Sequence, residues 1–486
     1  MLEPRPYRDL HLYNTLSGEV EEFTPLSEQE VKLYVCGITP YEVGHLGHAL
    51  TAVAFDVLRR WLDFNGYTVR HIQNITDVDD DMVRVSEERD LSIAELTDIN
   101  HQIYLDEMSY LNILPPDSYP RVSETIDEII FGVNKLVDTG FAYENSGYIF
   151  FDSTQDQSLG ALIGLDNSQL ATYESDSMPE EPAELKRSPL DFLIWQPSSF
   201  PGAKFESPWG VGRPGWHIEC SIMAQTHLGD QLDIHGGGKD LRYPHHASEI
   251  AQSESITSRS PYVGYWMHNG TMRLDGVKMS KSLGNITAPQ EVIESHGADI
   301  LRLWVVGSDY SEDLRIGPEI LKHYTDIYRR LRNTLRYLIG NLSDFSEKEK
   351  IDRDSMPEIE RWVLNRVYEL DKSLRQSCES FEFHNFFNEL HNFCSVDLSA
   401  FYFDIRKDTL YCDRRDSITR QACRTVLDNL FRYLTTWLAP FLCFTSEEAW
   451  LSRFPSAEGS VHLNQFPDVP DSWCDVDLAR KWLEIR

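Results

Sequence analysis

The spacing of apolar residues changes along the chain and predicts more than one kind of architecture. The apolar run KLYVCGI at 32–38 predicts a buried strand, the helically spaced segment after it stops at Gly66, and TVRHIQNI at 68–75 predicts a second strand. Strand, helix and strand in this order predict a parallel, right-handed βαβ unit, whose ligand crevice lies at the carboxyl ends of its strands.

Two later changes of pattern divide the rest of the chain. Residues 121–200, which include the acidic stretch ESDSMPEEPAELKRSP, interrupt the first pattern, and strand-like QLDIH then resumes it. From about residue 318 strands nearly vanish and long amphipathic helices follow, of which DNLFRYLTTWLAPFLCFTSEEAW is predicted to be one. The predicted fold class is α/β: a doubly wound parallel sheet with an inserted lobe, followed by an all-α bundle.

Length and composition are those of a multidomain globular protein. The chain has 486 residues, of which 41% are hydrophobic and 25% charged, and two to four domains are expected. It has no apolar stretch long enough to span a bilayer, and MLEPRPYRDLHLYNT does not resemble a signal peptide, so no membrane partner is expected. The 8 cysteines lack a pairing rhythm, which indicates reduced thiols in the cytoplasm.

The net charge of −33 argues against a nucleic-acid partner, because phosphates must be neutralised by Lys and Arg. A local basic face can nevertheless outweigh the net charge. The segment LKHYTDIYRRLRNTLRYL carries five basic residues against the single acid Asp326, and a solvated helix face is the alternative interpretation. The basic residues are Lys322, Arg329, Arg330, Arg332 and Arg336.

Two histidines, His45 and His48, flank Gly47 where the first predicted strand runs into the first helix. A helix N-terminus offers N–H groups and the positive end of its dipole to a phosphate, and Gly47 allows a nucleotide to approach the backbone closely. Taken alone, the segment HLGH fits a zinc-binding pair or two structural histidines equally well.

A second motif, KMSKS at 278–282, resolves this ambiguity. Lys278 and Lys281 lie beside the small hydroxyl residues Ser280 and Ser282, and such a cationic loop can follow a leaving pyrophosphate. Alone, the segment also fits an unstructured basic loop. Together and in this order, the two motifs resemble the signature motifs of the class I aminoacyl-tRNA synthetases. The resemblance implies that His45, His48, Lys278 and Lys281 are catalytic and that Gly47 contacts ATP.

A zinc site can be assembled here only from distant segments. Cys36, Cys220, His245 and Glu249 offer sulfur, nitrogen and oxygen donors. His245 and Glu249 are four residues apart, so that one helical face would present both side chains. By spacing alone these four residues form no motif.

Longer segments resemble cysteinyl-tRNA synthetases nearly continuously over residues 10–285. They are YVCGITPY…GHLGH, NITDVDDD, GVGRPGWHIECS, DIHGGGKDLRYPHHASEIAQ and KMSKSLGN. The resemblance implies that the four residues named above hold one zinc ion per chain, which binds the thiolate of the substrate cysteine, and that His246 is not a ligand. Zinc prefers a soft thiolate, so it would separate cysteine from serine without an editing domain.

The same resemblance implies further contacts. One departure concerns Asp81, because the family usually has a lysine at this position. For Trp216, plain core packing is the alternative interpretation. The implied contacts are Thr76 and Trp216 with the cysteine substrate, Gly236, Gly237 and Gly238 with adenosine, Asp240 with the ribose, and Lys281 with the phosphates.

After KMSKSLGN the resemblance changes. The segments at 286–342 and 396–450 resemble the helical anticodon-binding domain of isoleucyl-tRNA synthetases, and the junction lies at about residues 278–289. A natural fusion, an engineered chimera and an assembly artefact all fit this junction.

The resemblances imply a cysteine–tRNA ligase that uses zinc and ATP with Mg²⁺, binds tRNA, with cysteine tRNA as the expected substrate, and acts as a monomer. The alternatives are a ligase that transfers cysteine to an amino sugar, as in mycothiol synthesis, and a non-catalytic tRNA-binding or zinc-binding paralogue. The expected domains are 1–120 and 201–270 as the two halves of the catalytic domain, 121–200 as the inserted lobe, 271–317 as the KMSKS loop and stem-contact region, and 318–486 as the anticodon-binding domain.

Overall fold

The computed structural model describes residues 10–156, 158–173, 175, 181–274, 277–278, 288–310, 312–456 and 459–485. The chain forms two compact units. The first comprises Met1–Glu291 and Tyr310–Arg315, and the second comprises Val292–Asp309 and Ile316–Arg486. The finer division into five domains stays a prediction.

The described strands are β1 (His11–Asn14), β2 (Glu19–Glu22), β3 (Glu30–Ile38), β4 (Thr68–Ile75), β5 (Ala142–Asn145), β6 (Tyr148–Phe151), β7 (Phe192–Pro197), β8 (Gly212–Pro214), β9 (Leu232–Gly238), β10 (Val263–Asn269), β11 (Met272–Leu274), β12 (Val277–Lys278) and β13 (Leu314–Ile316).

The described α-helices are α1 (Leu46–Phe64), α2 (Asp80–Arg89), α3 (Ile93–Tyr110), α4 (Ile126–Asp138), α5 (Asn167–Leu170), α6 (Trp216–Leu228), α7 (Ala247–Thr257), α8 (Pro289–His296), α9 (Ala298–Val306), α10 (Pro318–Asn341), α11 (Glu358–Glu379), α12 (Phe383–Asn392), α13 (Phe403–Cys412), α14 (Ile418–Leu438), α15 (Cys443–Arg453) and α16 (Val476–Ile485).

A parallel sheet forms the centre of the first unit. Within the described part of the chain its strands lie in the order β4, β3, β9, β10. The chain passes from β3 through α1 to β4 on one side of β3, whereas β9 lies on the other side. This reversal is the switch point of a doubly wound sheet, and a crevice opens there at the carboxyl ends of β3 and β9. The predicted fold class is confirmed.

Helices cover both faces of this sheet, which explains why β3 is largely apolar and why all residues of β4 except Thr68 and Arg70 are buried. On one face, Tyr34 and Ile72 pack with Ile218 and Ile222 of α6. On the other face, a Cβ atom placed on Gly236 would lie 2.0 Å from the ring of Phe55 in α1, so only glycine fits there.

A separate antiparallel sheet of β5, β6, β7 and β8 follows in the chain. Its first three strands fall within residues 121–200, and β8 lies just beyond them. Glycines at 147 and 202, with φ of 84° and 86°, supply the left-handed backbone of two turns in this region.

Helices dominate the second unit, and its core is apolar, with Leu331, Leu335 and Trp437 fully or almost fully buried. The prediction that DNLFRYLTTWLAPFLCFTSEEAW forms one helix is wrong. The chain instead forms α14 up to Leu438 and α15 from Cys443. Pro440 lies in the break, because its ring and missing N–H prevent a helix from continuing through it.

Two expectations about the chain concern its cysteines and the membrane. All eight cysteines carry free thiols, as their lack of a pairing rhythm predicts. In the part of the chain that the structure describes, the helices are either too short or too polar to cross a bilayer.

Candidate active site

The two signature histidines cap the helix that follows β3. His45 is the N-cap of α1 and its Nδ1 accepts a hydrogen bond from the backbone N–H of Gly47 at 3.1 Å. Nδ1 of His48 accepts one from the backbone N–H of His45 at 3.2 Å. The two rings stack with centroids 3.9 Å apart and planes at 8°. Because each Nδ1 accepts, each ring carries its proton on Nε2 and presents a donor beside the positive end of α1.

Close packing within the protein accounts for the glycines of both sequence motifs. A Cβ on Gly47 would lie 2.7 Å from Cε1 of His45, and one on Gly238 would lie 2.5 Å from Oδ1 of Asp240. A Cβ on Gly237 would lie 2.9 Å from a methyl group of Leu241. The adenosine contacts of these glycines and the ribose contact of Asp240 stay predictions.

The structure brings the four expected zinc ligands together. Their ligand atoms, contributed by Cys36, Cys220, His245 and Glu249, all lie within 4.8 Å of one another. Cys36 comes from the end of β3, Cys220 from α6, and His245 and Glu249 from the helical turns at the start of α7. All four side chains are at most 9% exposed. Two thiols, an imidazole and a carboxylate at this spacing fit the donor set of a tetrahedral zinc site.

The same cluster offers a second set of ligands that shares Cys36 and Glu249. His235 and His246 complete it, again within 4.8 Å. Sγ of Cys36 lies 3.2 Å from Nε2 of His246, and Nε2 of His235 lies 2.9 Å from Oε2 of Glu249. Sequence reasoning set His246 aside and missed His235. For His235, the only signal in the sequence was its position directly before the three glycines of β9.

Two more histidines, His217 and His268, lie beside this cluster, and no sequence pattern indicated either of them. Nδ1 of His217 lies 3.0 Å from Nδ1 of His245. Nδ1 of His246 lies 2.7 Å from Nε2 of His268, whose other nitrogen lies 3.0 Å from Oγ1 of Thr15. Such outer contacts orient the imidazoles that bind a metal.

Burial controls the protonation of the cluster. It raises the pKa of the Cys36 thiol, and the nearby Cys220 and Glu249 raise it further. Burial also lowers the pKa of His245 and of His246, so both imidazoles are neutral at pH 7. A neutral imidazole is the form that binds a metal, and a divalent cation would favour the thiolates that burial opposes.

The two residues expected in the cysteine pocket lie at this end of the sheet. Trp216 begins α6, and its indole stacks on the His245 ring with centroids 4.4 Å apart. Thr76 directly follows β4; its N–H donates to the carbonyl of Ile38, and its Oγ1 accepts from Nδ2 of Asn74 at 3.0 Å. Their contact with cysteine stays a prediction.

Two expected catalytic residues cannot be placed beside these groups. Lys278 ends β12, and its side chain is outside the described part of the structure. Lys281 lies outside the described residues altogether.

Asp81, which stands where the family usually has a lysine, lies in the first turn of α2. Its carboxylate forms an exposed ion pair with Arg84, with N and O 2.5 Å apart. An acidic side chain is favourable at a helix N-terminus, so this position has a local structural reason for its charge.

Comparison with known proteins agrees with this arrangement. Residues 22–326 match the family described as tRNA synthetases class I (C) catalytic domain, and residues 360–485 match the anticodon-binding domain of tRNA ligases. A cysteine–tRNA ligase of Dehalococcoides mccartyi is 43% identical over 325 residues, which cover 67% of this chain and 70% of the relative. One from Thermococcus onnurineus is 43% identical over 326 residues, or 67% of each chain.

Solved structures of low sequence identity share the fold. Mycobacterium tuberculosis methionyl-tRNA synthetase in complex with methionyl-adenylate matches with a TM-score of 0.65 at 16% identity, over 91% of this chain and 99% of that one. The Agrobacterium radiobacter K84 agnB2 LeuRS–tRNA–LeuAMS complex matches with a TM-score of 0.66 at 12% identity, over 93% of this chain and 89% of that one. The chain therefore belongs to the class I aminoacyl-tRNA synthetases, in the family of the cysteine–tRNA ligases.

Proposed function

We propose that this protein activates cysteine with ATP to form cysteinyl adenylate and pyrophosphate, and then transfers cysteine to the 3′ end of a tRNA. One observation carries the proposal: a buried set of two thiols, an imidazole and a carboxylate lies at the end of β3, and the histidine-capped helix α1 starts 10 residues after Cys36 in the chain. The same strand end thus supports an amino-acid site and a nucleotide site.

Cys36, Cys220, His245 and Glu249 would hold zinc in the amino-acid site. When bound there, zinc supplies a soft Lewis acid that stabilises a substrate thiolate. Neighbouring residues hold two of these ligands in place: Nε2 of His235 lies 2.9 Å from the Glu249 carboxylate, and the Trp216 indole stacks on the His245 ring. Selection by pocket shape alone is worth about 1–3 kcal/mol per group, so a thiol-selective ligand set explains how cysteine is separated from serine.

His45 and His48 would bind the triphosphate of ATP, which enters with Mg²⁺. Their Nδ1 atoms are engaged by backbone N–H groups, so the rings are held parallel and donate from Nε2. Donors fixed in advance stabilise the charge that develops on the phosphates without reorganising during the reaction. Lys278 and Lys281 would add positive charge from the KMSKS loop.

The helical unit would bind the tRNA. The five basic side chains on α10 are all exposed. Among the described residues, only Arg329 of these five forms an ion pair, at 3.3 Å from the exposed Asp326. Such a face can follow a phosphate backbone despite the negative charge of the whole chain. A ligase that transfers cysteine to an amino sugar needs no anticodon-binding domain, so the match over residues 360–485 favours tRNA. The free thiols support a cytoplasmic location, and a monomeric state stays a prediction.

The choice of tRNA tests the proposed function directly. Transcripts of cysteine tRNA and isoleucine tRNA are each charged with labelled cysteine by the purified protein. We expect kcat/KM for cysteine tRNA to be higher by more than about tenfold, because cysteine at isoleucine codons would be toxic to a natural host. A preference for isoleucine tRNA would contradict this and indicate an artificial or artefactual fusion at 278–289. Absence of cysteine activation would contradict the proposed function itself.

Charge reversal on α10 separates tRNA binding from chemistry. The double variant Arg332→Glu and Arg336→Glu should raise KM for tRNA by about tenfold, since two phosphate contacts become repulsive. Cysteine-dependent pyrophosphate exchange should not change, because it needs no tRNA. Arg480→Glu, at an exposed arginine of α16, is the matched control. An unchanged KM for tRNA in the double variant would remove α10 from the tRNA interface.

A further inference from the structure

Helix α3 packs against the loop between β3 and α1, which carries the signature histidines. Nδ2 of the buried Asn100 donates to the carbonyl oxygen of Pro40 at 2.7 Å. Two turns further along the same helix, the carboxyl group of Glu107 lies against Gly44, the residue before His45. A Cβ atom on Gly44 would lie 2.5 Å from Oε2 of Glu107, so a larger residue at this position would have to displace the Glu107 carboxyl group. The conformation of the loop therefore depends on α3.

Glu107 is in an unusual position for an acidic residue. It is only 4% exposed, and its Oε2 has no hydrogen-bond partner among the described residues. A buried carboxylate is costly unless it is paired with a cation or accepts hydrogen bonds. Among the described residues, no ion pair involves Glu107. The contacts of the described residues thus do not stabilise a negative charge at this position.

The carboxyl group of Glu107 also lies close to the proposed triphosphate site. A Cβ atom placed on Gly44 would lie 2.5 Å from Oε2 of Glu107 and 3.7 Å from Nδ1 of His48. A carboxylate here would repel the phosphates that His45 and His48 bind, and in a buried site this repulsion is poorly screened. A neutral carboxyl group of the same shape would support the loop without that repulsion.

We propose that Glu107 is a positioning residue of the ATP site, which supports the signature loop and has to hold a proton while the triphosphate is bound. The inference rests on the proposed function, since it assumes that ATP binds at His45 and His48. It adds a residue from α3, outside both sequence motifs, to the nucleotide site.

The pKa of Glu107 determines the direction in which the affinity for ATP should change with pH. Burial raises the pKa of Glu107 to about 7, so the free protein loses this proton as the pH rises through neutrality. A bound triphosphate raises the pKa further, so ATP binding takes up a proton and weakens as the pH rises. The other titratable groups beside it in the described structure are His48 and Tyr104. Nδ1 of His48 accepts from a backbone N–H, and burial raises the pKa of Tyr104, so the phenol stays neutral.

Calorimetric titration with a non-hydrolysable ATP analogue and saturating Mg²⁺ tests this at a series of pH values, without cysteine or tRNA. We expect the Kd of the wild type to rise roughly tenfold from about pH 6.5 to about pH 8.5. Glu107→Gln keeps the shape and removes the charge, so its Kd should change by less than about twofold over the same range. Glu107→Asp should restore a pH-dependent Kd, because it restores the acid.

The matched control is Asp106→Asn, at the exposed neighbouring carboxylate of α3, and it should keep the pH dependence of the wild type. A Glu107→Gln profile that follows the wild type overturns the inference. If that variant does not fold, proton uptake by the wild type decides: titrations in buffers of different ionisation enthalpy should give about half a proton per ATP at pH 7, and no uptake overturns it. A wild type that binds no ATP at any pH contradicts the proposed function instead.

Discussion

Replacing Cys220 with serine should leave the purified protein without bound zinc and lower the rate of cysteine-dependent pyrophosphate exchange by more than about a hundredfold. The wild type should contain one zinc per chain. Cys220 lies 1% exposed on α6, within 4.8 Å of the ligand atoms of Cys36, His245 and Glu249. A hydroxyl is a much poorer zinc ligand than a thiolate, so the variant keeps the fold of α6 but loses a donor. Metal analysis by mass spectrometry and pyrophosphate exchange measure the two effects.

The matched control is Cys474→Ser, which changes an exposed cysteine of the second unit and should keep both zinc and activity. A second comparison uses His246→Ala. Because His246 belongs to the alternative ligand set, its removal distinguishes the two sets: retention of zinc supports the set with Cys220 and His245. Wild-type protein that is active without zinc would defeat the assignment of all four ligands.

Lys281→Ala should lower kcat for cysteine-dependent pyrophosphate exchange by about a hundredfold or more, while KM for cysteine stays within about twofold. The ammonium group acts where negative charge develops on the phosphates, so its loss affects the transition state more than the bound amino acid. Steady-state exchange at varied cysteine and ATP concentrations separates the two constants.

Lys204→Ala, at an exposed lysine of the same unit, is the control for a general loss of charge. An unchanged exchange rate together with a raised KM for cysteine would show that Lys281 belongs to the amino-acid pocket.

Some residues of the site can be located from a local sequence pattern, and others cannot. The position of His45 and His48 at the start of α1 is predictable because a helix N-terminus and a spacing of three residues are both visible in HLGH. Their catalytic role was assigned only through KMSKS and the resemblance to a family. Cys36, Cys220, His245 and Glu249 were selected only through resemblance to a family, because they lie on three segments spread over more than two hundred residues, and such segments have no spacing rule.

His235 and Glu107 show what the sequence could not indicate. His235 on β9 reaches Glu249 on α7, with Nε2 and Oε2 2.9 Å apart, only because these two elements fold against each other. Glu107 reaches Gly44 because α3 folds back beneath the loop after β3. Both contacts depend on distances between elements, and apolar spacing along the chain carries no information on these.

By itself, the sequence determined which segments form three of the four described parallel strands and the helix between the first two, where that helix begins, and that helices replace strands after about residue 318. These properties follow from local periodicity and capping, which each segment carries in its own residues. Only the tertiary structure decided that five buried histidines surround the thiols and that Glu107 lies against Gly44 without an ion pair among the described residues. The length of the helix in DNLFRYLTTWLAPFLCFTSEEAW was also misjudged, although Pro440 was visible, since apolar spacing continues across the break. Burial, sheet order and register create these environments, and they arise only when distant segments pack together.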